Sequence, residues 1–262
     1  MARRRLDEVV VERDLAPSRE KAAALIMAGR VRVDGEVVTK AGAAVAEEAS
    51  VTVTGGPAYA SRGGEKLAAA LEAFGVVAAG RVALDVGAST GGFTSCLLAR
   101  GASHVHALDV GRGLLAWELR VDSRVTMWEG VNARNFDGGV LEPAPALAVV
   151  DVSFIGLAKV LRPLVPTLPA LEEIVALVKP QFEARRSQVE RGGVVRDPKI
   201  HRKVVSAAAA LLDELDFAAV AVARSPLEGP AGNYEFFLCG RRGAARRELG
   251  AEISRAAGFD NN

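Results

Sequence analysis

Near the start of the chain apolar residues fall at helical spacing, with Leu6, Val9, Val10 and Leu15 on one face. Ser18 then offers an N-cap for a second helix over residues 19–28, which turns Ala22, Leu25 and Ile26 inward and ends at Gly29. Residues 30–38 alternate apolar and polar around Asp34-Gly35, the pattern of two strands joined by a tight turn, and residues 51–54 add a further strand. A stretch rich in glycine with a proline, residues 55–64, interrupts the pattern. The expected division is a small α+β unit over 1–56, a linker over 57–63 and a larger domain over 64–262.

From Lys66 onward helical patterns alternate with short β-rich runs at residues 81–86, 104–110, 125–129, 147–152, 174–178, 217–223 and 234–239. That alternation predicts an α/β fold: a Rossmann-like sheet of seven strands covered by helices. Residues 183–196 are polar and contain glycine, and are expected to form a mobile loop.

Composition narrows the function classes. Half of the 262 residues are hydrophobic, enough for a substantial core, and 33 basic side chains face 32 acidic ones. With a net charge of +1, affinity for a polyanion has to come from local clusters of Arg and Lys. Cys96 and Cys239 have no metal-ligand spacing around them and read as reduced core residues, so no metal site is expected. No apolar run of signal-peptide length follows the basic start, and none approaches the roughly 18 apolar residues of a membrane span. A cytoplasmic protein without a membrane partner is the expectation.

The first run of the larger domain feeds the turn Gly87-Ala88-Ser89-Thr90-Gly91-Gly92, where the backbone can approach a ligand and the next helix can aim its amides at it. Asp85, Gly87, Ser89, Thr90, Gly91 and Gly92 are therefore candidate cofactor residues. The second run ends at Asp109, whose carboxylate can accept ribose hydroxyls, and Asn132 follows the third with an amide suited to an adenine edge. Asp85 ahead of the first glycine, and a turn that departs from Gly-x-Gly-x-x-Gly, resemble methyltransferases more than dehydrogenases.

Chemistry in such sheets lies beyond the carboxyl ends of the parallel strands. Lys66 precedes the first strand, Asp151 and Lys179 end the fourth and fifth, and Glu235 begins the seventh. If the last strand runs antiparallel, all four meet at one edge. Two amines and two acids suit methylation of a ribose hydroxyl, which must lose its proton as it attacks a sulfonium methyl. Lys179 is the expected base, with Lys66 as the neighbouring cation that lowers its proton affinity. Asp151 is expected to position Lys179 and the methyl donor, and Glu235 to orient a lysine or the ribose.

Ser61-Arg62-Gly63-Gly64-Glu65-Lys66-Leu67, Asp151-Val152-Ser153-Phe154-Ile155, Leu177-Val178-Lys179-Pro180-Gln181-Phe182-Glu183 and Gly229-Pro230-Ala231-Gly232-Asn233-Tyr234-Glu235, with the glycine turn, resemble the TlyA-type ribosomal RNA (cytidine-2'-O)-methyltransferases, also called the hemolysin A family. The Lys-Asp-Lys-Glu set is similar to that of the wider FtsJ-like ribose methyltransferases. The resemblance implies S-adenosylmethionine as cofactor, cytidines of 16S and/or 23S ribosomal RNA as substrate, in naked RNA or ribosomal subunits, and an N-terminal RNA-binding module of the type named for ribosomal protein S-four. No obligate protein partner is expected.

RNA contacts are expected from Arg3, Arg4, Arg5, Arg19, Lys21, Arg30, Arg32 and Lys40 in the first unit, and from Arg62, Arg134, Arg185, Arg186 and Arg191 near the cleft. Three rival readings stand beside this one: a membrane-acting hemolysin, which would need an export signal or a strongly amphipathic cationic helix; a methyltransferase acting on a base, which would show an Asn/Asp-Pro-Pro-aromatic turn where this chain has Asp151-Val152-Ser153-Phe154, or a nucleophilic cysteine at that edge; and a non-catalytic RNA binder of ribosome assembly, against which the full set of four argues.

Overall fold

The computed structural model describes residues 3–27, 29–53 and 59–258. The chain divides into two compact units, Met1–Ala58 and Tyr59–Asn262.

In the first unit, helices α1 (Leu6–Glu12) and α2 (Arg19–Met27) share a core with a three-stranded antiparallel sheet. Strands β1 (Arg3–Arg5), β2 (Val31–Val33), β3 (Glu36–Val38), β4 (Ala44–Ala46) and β5 (Val51–Val53) complete it. Leu6, Val9, Val10, Ala22 and Ile26 are buried there with Val31 and Val51. Ser18 Oγ accepts the Lys21 amide at 3.2 Å, the expected cap. Asp34 and Gly35 both take left-handed backbone (φ 50° and 88°), which is what a two-residue turn matched to strand twist requires.

Two features depart from the sequence reading. Leu15 lies beyond α1, because the helix stops at Glu12 and Asp14 turns left-handed (φ 56°). The arginine run forms β1, paired antiparallel with β4; three like residues carry no alternation to reveal a strand. The expected helix end at residue 28, the strand end at 54 and linker residues 57 and 58 lie outside the described residues.

The second unit is built on a seven-stranded sheet: β6 (Val82–Val86), β7 (His104–Asp109), β8 (Val125–Glu129), β9 (Leu147–Val150), β10 (Glu173–Val178), β11 (Phe217–Arg224) and β12 (Phe236–Arg242). Their order is β11-β12-β10-β9-β6-β7-β8, and β12 runs antiparallel to both its neighbours. Helices α3 (Arg62–Phe74), α4 (Gly92–Ala99), α5 (Trp117–Arg120), α6 (Ala158–Leu164), α7 (Pro180–Glu183), α8 (Pro198–Glu214) and α9 (Gly250–Ala256) flank or link the strands. Central strands covered on both faces need continuous apolar runs, and all of β9 and β10 is buried. The one charge in them, Glu173, is held at 2.6 Å by both Arg81 and Arg241, and together they hold its carboxyl below the ordinary range despite burial.

Chain order reverses at β6: β7 and β8 extend one way, β9 and β10 the other. The exits of β6 and β9 thus diverge into a crevice, the usual ligand position of such sheets. β12 begins at Phe236, so Glu235 lies just ahead of it; Asp151 and Lys179 lie just past β9 and β10.

Residues 183–196 are not the free loop expected. A short helical turn at Arg186–Gln188 is followed by buried Val194 and Val195. The Asn233 side chain, 1% exposed, accepts the Val195 amide at 2.9 Å and donates to the Gly193 carbonyl at 2.8 Å, while the His201 ring contacts the Val195 carbonyl at 2.7 Å. Backbone groups pinned at three points leave this stretch little freedom. Among the described residues no helix is long and apolar enough to cross a membrane.

Candidate active site

The glycine turn after β6 is shaped by close backbone approach. Gly87 has φ +89°, and a Cβ there would stand 2.3 Å from the Asp151 carbonyl oxygen, so a side chain would push the β6 and β9 exits apart. Ser89 follows in left-handed backbone (φ 49°) and its amide donates to Asp109 Oδ2 at 2.8 Å; the Gly111 amide donates to Oδ1 at 2.6 Å. Asp109 is thereby fixed at the lip of the crevice, with lone pairs left on both oxygens.

A two-lobed cavity opens here. One lobe, of about 360 Å³, is mostly apolar, lined by Leu108, Leu114, Val131 and Ile155 with Asp109 and Asn132 at its polar rim. The other, of about 330 Å³, holds Lys66, Asp151, Lys179 and Glu235 together with Thr90 and Arg62. Gly87, Ser89, Asp151 and Ser153 belong to both. The four expected catalytic residues therefore share one lobe, and the adenosine candidates line the other.

Strand register explains the convergence. Val178 pairs with Phe236, which brings Lys179 and Glu235 to neighbouring strand ends. The Asp151 amide bonds to the Val86 carbonyl at 2.9 Å, placing that carboxylate at the glycine turn. Lys66 arrives from α3, whose start is capped by Ser61 and lies against α4; a Cβ on Gly92 would stand 2.2 Å from Ser61 Oγ.

The charges are arranged as two couples. Lys66 Nζ donates to Glu235 Oε2 at 2.6 Å, with Glu235 only 1% exposed. Lys179 Nζ lies 2.5 Å from Asp151 Oδ1 and donates to Ser153 Oγ at 2.7 Å. Each lysine is thus matched by its own carboxylate, Lys179 by Asp151 and Lys66, the expected neighbouring cation, by Glu235. Ser153 was missed, although it stands two residues from Asp151 in a motif already singled out.

Two cofactor candidates face away from the cavity. Asp85 is fully buried beneath the turn, where it accepts the Thr94 hydroxyl at 2.7 Å, and burial pushes its carboxyl up to about 7. Strand alternation points its side chain toward α4. Gly91 starts α4 with φ +92° and meets Leu115 and Leu119; its work is packing. Thr90 and Gly92 do line the polar lobe. Asn132 lines the apolar lobe and caps the following turn through the Arg134 amide at 3.1 Å. Also unforeseen is Phe154, 92% exposed at the mouth with left-handed backbone (φ 65°) and its ring 5.2 Å from that of Phe182.

The RNA candidates are more neutralised than their sequence density suggests. Arg4 is paired with Glu12, Arg5 with Asp7 at 2.8 Å, and Arg19 with Asp7 and Glu8 at 3.3 and 3.2 Å. Arg32 donates to the Gly35 carbonyl at 2.8 Å; Lys21 and Lys40 are exposed and Arg30 is half-buried. Around the cavity of the second unit, Arg62 lines the polar lobe, Arg134 shares a shallow depression with Lys159 and Phe154, and Arg185 and Arg186 are exposed just past α7.

Comparison with known proteins agrees with this geometry. Residues 59–242 match the FtsJ-like methyltransferase model and residues 4–51 the S4 domain model. The 16S/23S rRNA (cytidine-2'-O)-methyltransferase TlyA of Mycobacterium tuberculosis is 50% identical over 241 residues, 91% of this chain and 90% of that protein. Hemolysin A of Brachyspira hyodysenteriae is 40% identical over 233 residues, 88% of this chain and 97% of its own. A hemolysin-designated structure from Streptococcus thermophilus superposes with a TM-score of 0.73 at 35% identity, covering 98% of this chain and 95% of that one. The chain belongs to the FtsJ-like methyltransferase family, in the TlyA-type branch that carries an S4 domain.

Proposed function

We propose that the protein transfers a methyl group from S-adenosylmethionine to the ribose 2'-hydroxyl of cytidine in ribosomal RNA, acting in the cytoplasm on 16S RNA, 23S RNA or both. The observation that carries the reading is the joining of an apolar, nucleoside-sized lobe to a lobe holding two Lys–carboxylate couples, with Asp151 on the seam.

The residues present fit the cofactor: Gly87, bare of a side chain, lines the seam where the β6 and β9 exits meet, and Asp109 and Asn132 supply polar groups at the rim of the apolar lobe. Bound there, S-adenosylmethionine supplies a methyl group on cationic sulfur. Lys179, in the neutral amine form that this role requires, receives the proton as the 2'-oxygen attacks the methyl carbon, and Asp151 and Ser153 fix the position of that amine. Lys66 and Glu235, locked to each other, form the wall that orients the ribose. The exposed Phe154 ring offers a stacking face to an unstacked base, and residues 1–56, with Arg62, Arg134, Arg185 and Arg186, engage the RNA backbone.

Lys179→Ala should abolish methyl transfer to ribosomal RNA while leaving cofactor binding by calorimetry within a few-fold of wild type. Unchanged turnover would overturn the assignment of the base.

A further inference from the structure

The turn from Asp151 to Leu157 carries a carboxylate and a hydroxyl of the Lys179 cluster, yet its own backbone is strained: Phe154 takes φ 65°, a left-handed conformation unfavourable to a bulky residue. Such a turn keeps its shape only when its surroundings impose it. Beside the main-chain bond from Asp151 to Val86, two side-chain bonds do so, one from the residue capping a short helix and one from that helix's last residue. Lys179, the residue ahead of α7, donates to Ser153 at 2.7 Å, and Glu183, the last residue of α7, accepts the Leu157 amide through Oε1, also at 2.7 Å.

The second attachment closes a ring: Lys179, α7, Glu183, the turn, and back to Lys179 through Asp151 and Ser153. Gly156 presses the turn onto the carboxylate, since a Cβ there would stand 3.0 Å from Glu183 Oε2. Helix α7 in turn packs against α8, and Glu183 sits half-buried among residues of α6 and α8. An apolar side chain would fill that space with less desolvation; burial pushes the Glu183 carboxyl above its ordinary range. What an apolar replacement lacks is the acceptor.

We propose that Glu183 is a positioning residue for methyl transfer, holding the Leu157 amide so that Asp151 and Ser153 stay in register with Lys179. The proposal rests on the reading of Lys179 as proton acceptor. Displacement of a reacting group by about 1 Å costs on the order of 100-fold in rate, and loss of one of the two attachments is expected to lower kcat roughly 10- to 100-fold.

The test uses the full chain, labelled S-adenosylmethionine and ribosomal subunits, with kcat and both KM values measured for Glu183→Gln, Glu183→Ala and Glu183→Met. Glutamine keeps an oxygen that accepts the same N–H and should retain most of kcat. Alanine and methionine should both lose kcat by the factor above, with the KM for S-adenosylmethionine changed less than about threefold. Methionine refills the space without an acceptor, and so separates lost packing from the lost hydrogen bond. Wild-type kcat in Glu183→Met, or an equal loss in Glu183→Gln, would overturn the proposal. Lys179→Ala measured alongside tests the base by itself: an inactive Lys179→Ala beside a fully active Glu183→Met overturns the positioning role alone.

Discussion

Replacing Lys66 by methionine removes the partner of a carboxylate that has nowhere else to turn. Glu235 is 1% exposed, and its Oε2 accepts the Lys66 ammonium at 2.6 Å. Burying an ion pair is close to neutral against an apolar pair of similar shape, whereas stripping one member from a buried pair costs about 3–5 kcal/mol. For a domain of this size each kcal/mol moves the midpoint by about 2–4 °C, so Lys66→Met should melt roughly 6–20 °C below wild type. Glu235→Gln alone should cost less, because the Lys66 side chain keeps 11% exposure and an ammonium on a flexible stem can reach water. The double variant Lys66→Met/Glu235→Gln removes both charges and should recover at least about 1 kcal/mol relative to Lys66→Met. Urea unfolding of the four proteins at pH 7, with slopes checked for equality, measures the coupling directly. Additive single effects, or a Lys66→Met variant within about 1 kcal/mol of wild type, would show that the couple is not held as a desolvated pair and would refute the reasoning.

Three further outcomes are expected. Gly87→Ala forces a Cβ to within 2.3 Å of the Asp151 carbonyl at φ +89°, so S-adenosylmethionine affinity should fall at least about tenfold by calorimetry, and unchanged affinity would mean the β6 exit does not bound the donor site. In the first unit, Arg5 and Arg19 hold the Asp7 carboxyl down at about 2. A depressed carboxyl stabilises the fold above its unfolded value, near 4, and that contribution is lost as pH falls toward 2. The stability gap between wild type and Asp7→Asn should therefore be widest above about pH 4 and close on acidification; a gap constant from pH 6 to 2 contradicts it. Deleting residues 1–56 should weaken RNA binding and flatten its dependence on salt while leaving donor affinity within a few-fold, and equal RNA binding by the truncated chain would remove the role assigned to that unit.

The sheet was legible because its central strands are buried on both faces: β9 and β10 have to be written as continuous apolar runs, and such runs can be found without coordinates. Asp151, Lys179 and Glu235 were legible for a related reason, since each stands beside the end of such a run, whereas Lys66 lies within α3. How they combine was not. Whether Lys66 faces Lys179 or Glu235 depends on where α3 docks, a long-range fact that no local pattern encodes. Asp85 shows the limit of a motif: it sits in the cofactor signature, yet β6 alternation turns it toward Thr94 and away from the cavity. The stretch at 183–196 reads as a loop by composition, and only Asn233, some forty residues later, reveals that it is fastened. β1 escaped notice because its pairing with β4 makes it a strand, while the side chains themselves do not.

At the Gly87–Asp151 contact the partition between the two lobes is main chain, set where β6 and β9 diverge. Side-chain replacement can reshape either chamber, but at that contact it cannot thin the divider without unpicking the sheet. Synthetic donors bearing an allyl or propargyl group in place of methyl would thus have to find their extra room on the nucleotide side. Enlarging the acceptor chamber, rather than the donor chamber, is the productive direction for redesigning what this fold transfers.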